Sequence, residues 1–451
     1  MRFVWMLAFA ASCLAASARD VLRELIEIDT THSTGSSTVA AEAMAARLRS
    51  AGFAASDIQV LGPHPKKGNL VARLRGTGAR KPILLLAHLD VVEAKREDWS
   101  FDPFKLLERD GFLYGRGTGD DKGQAAIWIA NLIRYKQEGY RPERDLIVAL
   151  TADEESGGTH NGVEWLLKTH RHLIDSEFCL NEGGVGYSKD GRRIVNQVQV
   201  SEKATLNLLL DIRNSGGHSS MPRRDNAIYA LARAIGRIEE FEFPVTMNEV
   251  TRQYFARMSQ TETGQTAKDM AAIAQAKPDP AAARRLSAQP YYNALMRTTC
   301  IPTRLEGGHA DNALPQLARV VVNCRLLPGE DPAAVETTLK KVIREPEIEI
   351  RRRSQPKLSK PSALDAGILG PVEKVTRAMW PGVIVVPVMM TGGTDGRDLR
   401  NAGIPTYGVS GVFYEMDGVR WHGRDERIGV KEFAGAEEFL YRLVKEFAAG
   451  K

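Results

Sequence analysis

The order of apolar and polar positions sets the first expectation. "KPILLLAHLDVV" is apolar without a break from Ile83 to Ala87, the pattern of a strand covered on both faces by helices. "GNLVARLRG", "RDLIVALTADEESGG", "SEFCLNEGG" and "GVIVVPVMM" are further strands. Helices are predicted between them, in "DVLRELIEI", "STVAAEAMAARLRSAGF", "KGQAAIWIANLIRYKQEG", "GVEWLLKTHRHLI" and "LDAGILGPVEKVTRAMW". The second has a Ser/Thr-rich entry and a stop at Gly52. Strand and helix in alternation predict an α/β fold with a mostly parallel sheet covered by helices.

The texture changes near Val198. "ATLNLLLDIRN" alternates like a strand with one covered face, then comes the turn "GGHSSMP" and the helix "NAIYALARAIGRIEEF". An Ala/Gln-rich helical stretch from about Arg252 to Leu295 precedes the strand "ARVVVNCRLLPG" and the helix "AAVETTLKKVI". These read as a smaller α+β domain, residues 198–355, inserted into a main domain made of residues 19–197 and 356–451. A chain of 451 residues exceeds one ordinary core, which agrees with two domains.

The first 18 residues stand apart. One Arg, an apolar run from Phe3 to Leu14 and the small residues Ala16-Ser17-Ala18 have the layout of a secretory signal cut after Ala18. The run is short for a bilayer span, so no membrane span is expected. Export to the periplasm or the outside is the expectation, with lipid anchoring at Cys13 as the alternative.

Composition removes other classes. A formal charge of +5, from 61 Lys and Arg against 56 Asp and Glu, gives no footprint for nucleic acid. "RRR" at Arg351 to Arg353 reads as a solvated face. Beyond the signal, Cys179, Cys300 and Cys324 are odd in number and widely spaced, which implies no disulfide framework. Cys179 and Cys324 lie in apolar runs and are expected to be core residues.

The chemistry lies where strands end. "AHLD" supplies His88 and Asp90, "GTGDDKG" Asp120 and Asp121, "TADEESGG" Glu154 and Glu155, "NEGG" Glu182, and "RWHGRDE" His422. In open α/β sheets, sites form just outside the carboxyl ends of strands, so residues this scattered can converge there. Histidine with several carboxylates suits zinc, cobalt or manganese better than calcium, which takes oxygen alone.

"AHLDVV", "GRGTGDDKG", "TADEESGG", "NEGG", "GGHSSMP" and "GGTDGR", in that order, resemble the dizinc family of aminoacylases, acetylornithine deacetylase, succinyl-diaminopimelate desuccinylase, and the glutamate and Gly-X carboxypeptidases. The resemblance covers the mature chain. It implies a catalytic main domain, an inserted lid/dimerisation domain and a homodimer formed through that insert. It also implies two divalent ions, with His88 on one, His422 on the other, Asp120 bridging both, and Glu155 and Glu182 completing the sites. Glu154 would be the general base and Asp90 the partner holding the His88 ring, and the Asp120–Asp121 peptide would be cis. His218 would reach the active site of the other subunit and polarise the scissile carbonyl; Arg325 would bind the substrate carboxylate, with Asn312 and Thr394 as further substrate contacts. Glu182 stands where some family members carry aspartate.

The residue chemistry agrees with those roles. Two cations sharing one carboxylate offset the repulsion within the acidic pair and acidify a shared water. That water needs a base that is not a ligand, and Glu154 beside Glu155 can be one. The expected activity is therefore an exported metal-dependent hydrolase of amide bonds, a carboxypeptidase or dipeptidase of small peptides, working through a water bridging two metal ions. The alternative within the family is a deacylase of N-acyl amino acids. A binding protein that had lost catalysis would lack a ligand or the base, and none is missing. A two-metal phosphatase or nuclease would need basic clamps that the small net charge does not supply.

Overall fold

The computed structural model describes residues 17–156, 159–415 and 418–449, so the expected signal sequence lies outside the described residues except for Ser17 and Ala18. Ser17 caps the first helix, Ala18–Glu27, by accepting from the Asp20 backbone N–H. No helix among the described residues is long and apolar enough to cross a membrane. The chain divides into two compact units, one of residues 1–175 with 419–451 and one of residues 176–418.

In the first unit four strands lie in the order Ile58–Leu61, Asn69–Leu74, Leu146–Thr151, Ile83–His88. The first three are antiparallel neighbours, while Ile83–His88 runs parallel to Leu146–Thr151, with His88 opposite Thr151. Both parallel strands are buried along their whole length, as their unbroken apolar runs require. Helix Lys122–Gln137 packs on them, and the Trp128 indole N–H donates to the Leu86 carbonyl at 3.0 Å. A small antiparallel sheet joins Leu107–Arg109, Phe112–Tyr114 and Arg427–Gly429. It carries the stretch holding His422 back to the loop that precedes Asp120.

In the second unit, Thr406–Gly408 pairs in parallel with Phe178–Asn181, and Ile384–Met390 with Arg192–Glu202. The Ala/Gln-rich stretch forms four helices, Glu249–Met258, Gly264–Ile273, Pro280–Ser287 and Pro290–Met296. A separate antiparallel sheet has the order Thr299–Gly307, Leu317–Leu326, Ala204–Arg213, Glu349–Arg352. Its alternating residues Leu206, Leu208, Leu210, Val320 and Val322 share a core with Leu231 and Ile238 of helix Ala227–Glu240 and Leu339 of helix Pro332–Ile343. The fold is mixed α/β, as the alternation of elements predicts.

One expectation is corrected. Cys324 is buried in the core as its apolar run implies, but it is joined to Cys300 in a disulfide where none was expected; Cys179 is buried and outside any disulfide. The two sit 24 residues apart in sequence but directly opposite each other on paired antiparallel strands, a juxtaposition set by register that spacing does not reveal. The "RRR" run is largely solvated, as expected, with Arg351 and Arg353 exposed, and it also makes ion pairs. Arg351 and Arg352 lie in strand Glu349–Arg352, and Arg351 joins Arg319 in gripping the buried Asp211 carboxylate at 2.5 and 2.6 Å. These guanidinium groups hold the Asp211 carboxyl below its ordinary range despite burial.

Candidate metal centre

The register of the two parallel strands in the first unit begins the site. His88 ends one strand beside Thr151, which ends the other, so "AHLD" and "TADEES" leave the sheet side by side. The Leu89 N–H still donates to the Thr151 carbonyl at 2.7 Å. Beyond it the Asp90 carboxylate accepts from the backbone N–H groups of Glu154 and Glu155 at 3.1 and 3.0 Å. Asp90 thus holds the segment carrying the two glutamates. Its backbone carbonyl, not its carboxylate, lies nearest His88 Nδ1, at 2.9 Å against 3.9 Å.

Asp153 gives this segment its bend. Its φ of 66° is in the left-handed region. Its buried carboxylate accepts from Lys67 Nζ at 2.8 Å and Ser156 Oγ at 2.6 Å. Burial alone would raise the Asp153 carboxyl, but these partners outweigh it and bring it to about 2. The Asp153–Lys67 pair carries no motif signature and was not among the residues the sequence singles out.

Asp120 meets both histidines. His88 Nε2 lies 3.0 Å from Asp120 Oδ1, and His422 Nε2 lies 3.2 Å from Asp120 Oδ2. His422 Nε2 is also 2.9 Å from Glu155 Oε1, across 267 residues of sequence. His88, Asp120 and Glu155 each offer a ligand atom, all within 4.8 Å of one another, and so could hold a metal ion. A donor set of imidazole nitrogen and carboxylate oxygen fits a transition-metal dication. The Asp120–Asp121 peptide is cis.

The electrostatics separate the adjacent acids. Burial works against the charge on Asp120, yet hydrogen bonds with His422 and His88 keep its carboxyl well below the ordinary range. Asp121 is pushed well up by burial, with the Asp120 charge adding to the rise and the nearby His88 opposing it. The His422 imidazole is raised to about 10 by its hydrogen bonds to Asp120 and Glu155. One aspartate of the pair is thus held as an anion facing two imidazoles, and the other is driven towards its neutral form.

The other residues singled out by sequence lie in the second unit. Glu182 directly follows strand Phe178–Asn181. His218 and Asn312 are neighbours in a short ladder: His218 pairs with Ala313, and the Ser219 N–H donates to the Asn312 carbonyl at 3.0 Å. Both are exposed, and His218 Nδ1 lies 2.7 Å from Ser220 Oγ. Arg325, on strand Leu317–Leu326, donates to Thr205 Oγ1 at 2.7 Å, and burial lowers its guanidinium from the ordinary value. Thr394 is buried, and its hydroxyl donates to Glu202 at 2.8 Å.

Known proteins with this architecture can now be set beside it. A family model described as peptidase family M20/M25/M40 matches residues 84–446. The human N-fatty-acyl-amino acid synthase/hydrolase PM20D1 is 30% identical over 376 residues, covering 81% of this chain and 74% of that protein. The probable carboxypeptidase S-like 2 of Dictyostelium discoideum is 30% identical over 378 residues, covering 81% and 71%. The M20 family metallo-carboxypeptidase Sso-CP2 of Sulfolobus solfataricus shares the fold, with a TM-score of 0.72 at 17% identity over 96% of this chain and 99% of that one. A family match across four-fifths of the sequence, over strands that deliver histidines and carboxylates to one point, leads to one conclusion: this chain belongs to peptidase family M20/M25/M40 and is one of its metal-dependent hydrolases.

Proposed function

We propose that the chain hydrolyses the amide bond joining an acyl group to the amino group of an amino acid with a free carboxylate, using two divalent ions. One observation carries this reading: two imidazoles face opposite oxygens of a single carboxylate, His88 at Oδ1 and His422 at Oδ2 of Asp120. In this reading His88, Asp120, Glu155 and His422 hold the ions, with zinc favoured and cobalt or manganese possible occupants by donor chemistry. Such ions, when bound, supply Lewis acidity and make water nucleophilic at neutral pH. Glu154 takes a proton from the attacking water and returns it to the leaving amine. Asp90 sets where Glu154 stands through the two backbone N–H groups it accepts. In the second unit, Arg325 offers the fork that suits a substrate carboxylate.

Among substrates of this form, the PM20D1 likeness favours N-acyl amino acids. The carboxypeptidase S-like relative, with the signal-like first 18 residues, favours release of a C-terminal residue from small peptides as the second reading. Release rates measured on N-acyl amino acids of short and long acyl chain, against dipeptides, separate the two. Faster release from N-acyl amino acids is expected. Turnover of neither class with zinc, cobalt or manganese would end the amide-hydrolase reading.

We also propose a homodimer formed through the separate antiparallel sheet. Its edge strand Thr299–Gly307 exposes Ile301 and Leu305 at 59% and 65%, and helix Ala227–Glu240 exposes Ile228 and Tyr229. An unpaired edge with large apolar side chains is a site for pairing with another chain. Sedimentation should give a dimer for the native chain and a monomer for the Ile301→Lys, Leu305→Lys double variant. A native monomer would contradict this.

A further inference from the structure

Glu426 closes the "RWHGRDE" stretch four residues beyond His422, was given no role above, and binds the loop that carries Asp120. Its side chain is buried. Oε1 accepts from three backbone N–H groups of one loop: Gly117 at 3.2 Å, Gly119 at 2.8 Å and Asp120 at 3.2 Å. Oε2 accepts from Arg116 Nη1 at 2.6 Å. Arg116 Nη2 in turn lies 3.5 Å from the His422 carbonyl, and its guanidinium lies 5.0 Å from the centroid of the Trp99 ring. The backbone closes the same link, since the Gly115 N–H donates to the Glu426 carbonyl at 3.1 Å.

The glycines of "GRGTGDD" make this wrapping possible. Gly117 has φ 93°, a region that side chains rarely adopt. A Cβ there would come within 2.9 Å of Val91 and Lys122. Backbone N–H groups turned inward in this way form a concavity suited to an anion. Here the chain fills it with its own carboxylate.

We propose that Glu426, with Arg116, is the positioning pair that holds the Asp120 loop and the His422 loop at metal-binding distance. The inference rests on the two-metal reading above and deepens it. Without the carboxylate, the 116–121 loop loses the acceptor of three N–H groups, and the two Asp120 oxygens lose their fixed aim at the two imidazoles. Loss of partners one step removed from metal ligands commonly weakens binding about 10- to 100-fold.

The test is a zinc titration of the metal-free protein, native and with Glu426→Gln and Glu426→Ala, alongside circular dichroism and the thermal midpoint without metal. Cobalt absorption reports the ligand arrangement separately from activity. Both variants should stay folded, bind zinc about 10- to 100-fold more weakly, show an altered cobalt spectrum, and regain activity in excess metal. Asp145→Asn serves as the control, because Asp145 also grips an Arg and a backbone N–H, Arg73 and Gly76, but touches neither loop; its zinc affinity should be unchanged. A folded Glu426→Gln variant with native affinity and spectrum overturns the inference. So does unfolding of both Glu426 variants, which would make Glu426 a general stabiliser. A native protein that takes up no divalent ion would instead overturn the two-metal reading itself.

Discussion

Replacing Glu154 with glutamine is expected to lower turnover by about 10²–10⁴-fold while leaving metal content unchanged. The expectation comes from how the two adjacent glutamates are held. Glu155 Oε1 lies against His422 Nε2 at 2.9 Å, within the cluster that could hold a metal. Glu154 precedes it on the same segment, with its backbone N–H fixed by Asp90 at 3.1 Å. Glutamine keeps the size of the side chain but cannot take a proton. Steady-state kinetics with metal analysis of the same preparation decide the matter. Turnover within tenfold of native, or loss of metal with the activity, would remove Glu154 from the role of base.

Asp120→Ala should have the larger effect on the centre itself. One carboxylate faces both imidazoles, so its loss removes a shared partner from His88 and His422 at once. Metal content should fall for both ions together and activity should fall to background. His88→Ala is expected to be milder in metal loss, because the His422–Glu155 contact survives it. Elemental analysis after dialysis against trace zinc distinguishes the two. Retention of a full metal complement by Asp120→Ala would contradict a bridging role.

Much of this was legible in the sequence because the elements that build the centre are strongly patterned. The unbroken apolar runs Ile83–Ala87 and Leu146–Leu150 mark buried strands, and the acids and histidine just beyond them fall where sheet sites form. The parts that escaped notice depend on register or on backbone groups. Cys300 and Cys324 meet because two antiparallel strands align them, and nothing in their spacing says so. Glu426 acts mainly on backbone N–H groups, which every residue but proline has, so it leaves no signature. Asp110-Gly111 and Asp190-Gly191 did carry a signal. Each has two positive φ angles and joins antiparallel strands, Leu107–Arg109 to Phe112–Tyr114 and Gly186–Lys189 to Arg192–Glu202. An Asp-Gly pair between apolar runs is a strong hairpin indicator, and reading it would have found these strands.

The centre is tested most directly by anomalous diffraction from crystals of the chain grown with zinc. The account predicts two zinc peaks, one beside Asp120 Oδ1 with His88 Nε2 and one beside Asp120 Oδ2 with His422 Nε2 and Glu155. Crystals with no zinc at Asp120, or with His88 and His422 both on a single ion, would contradict it.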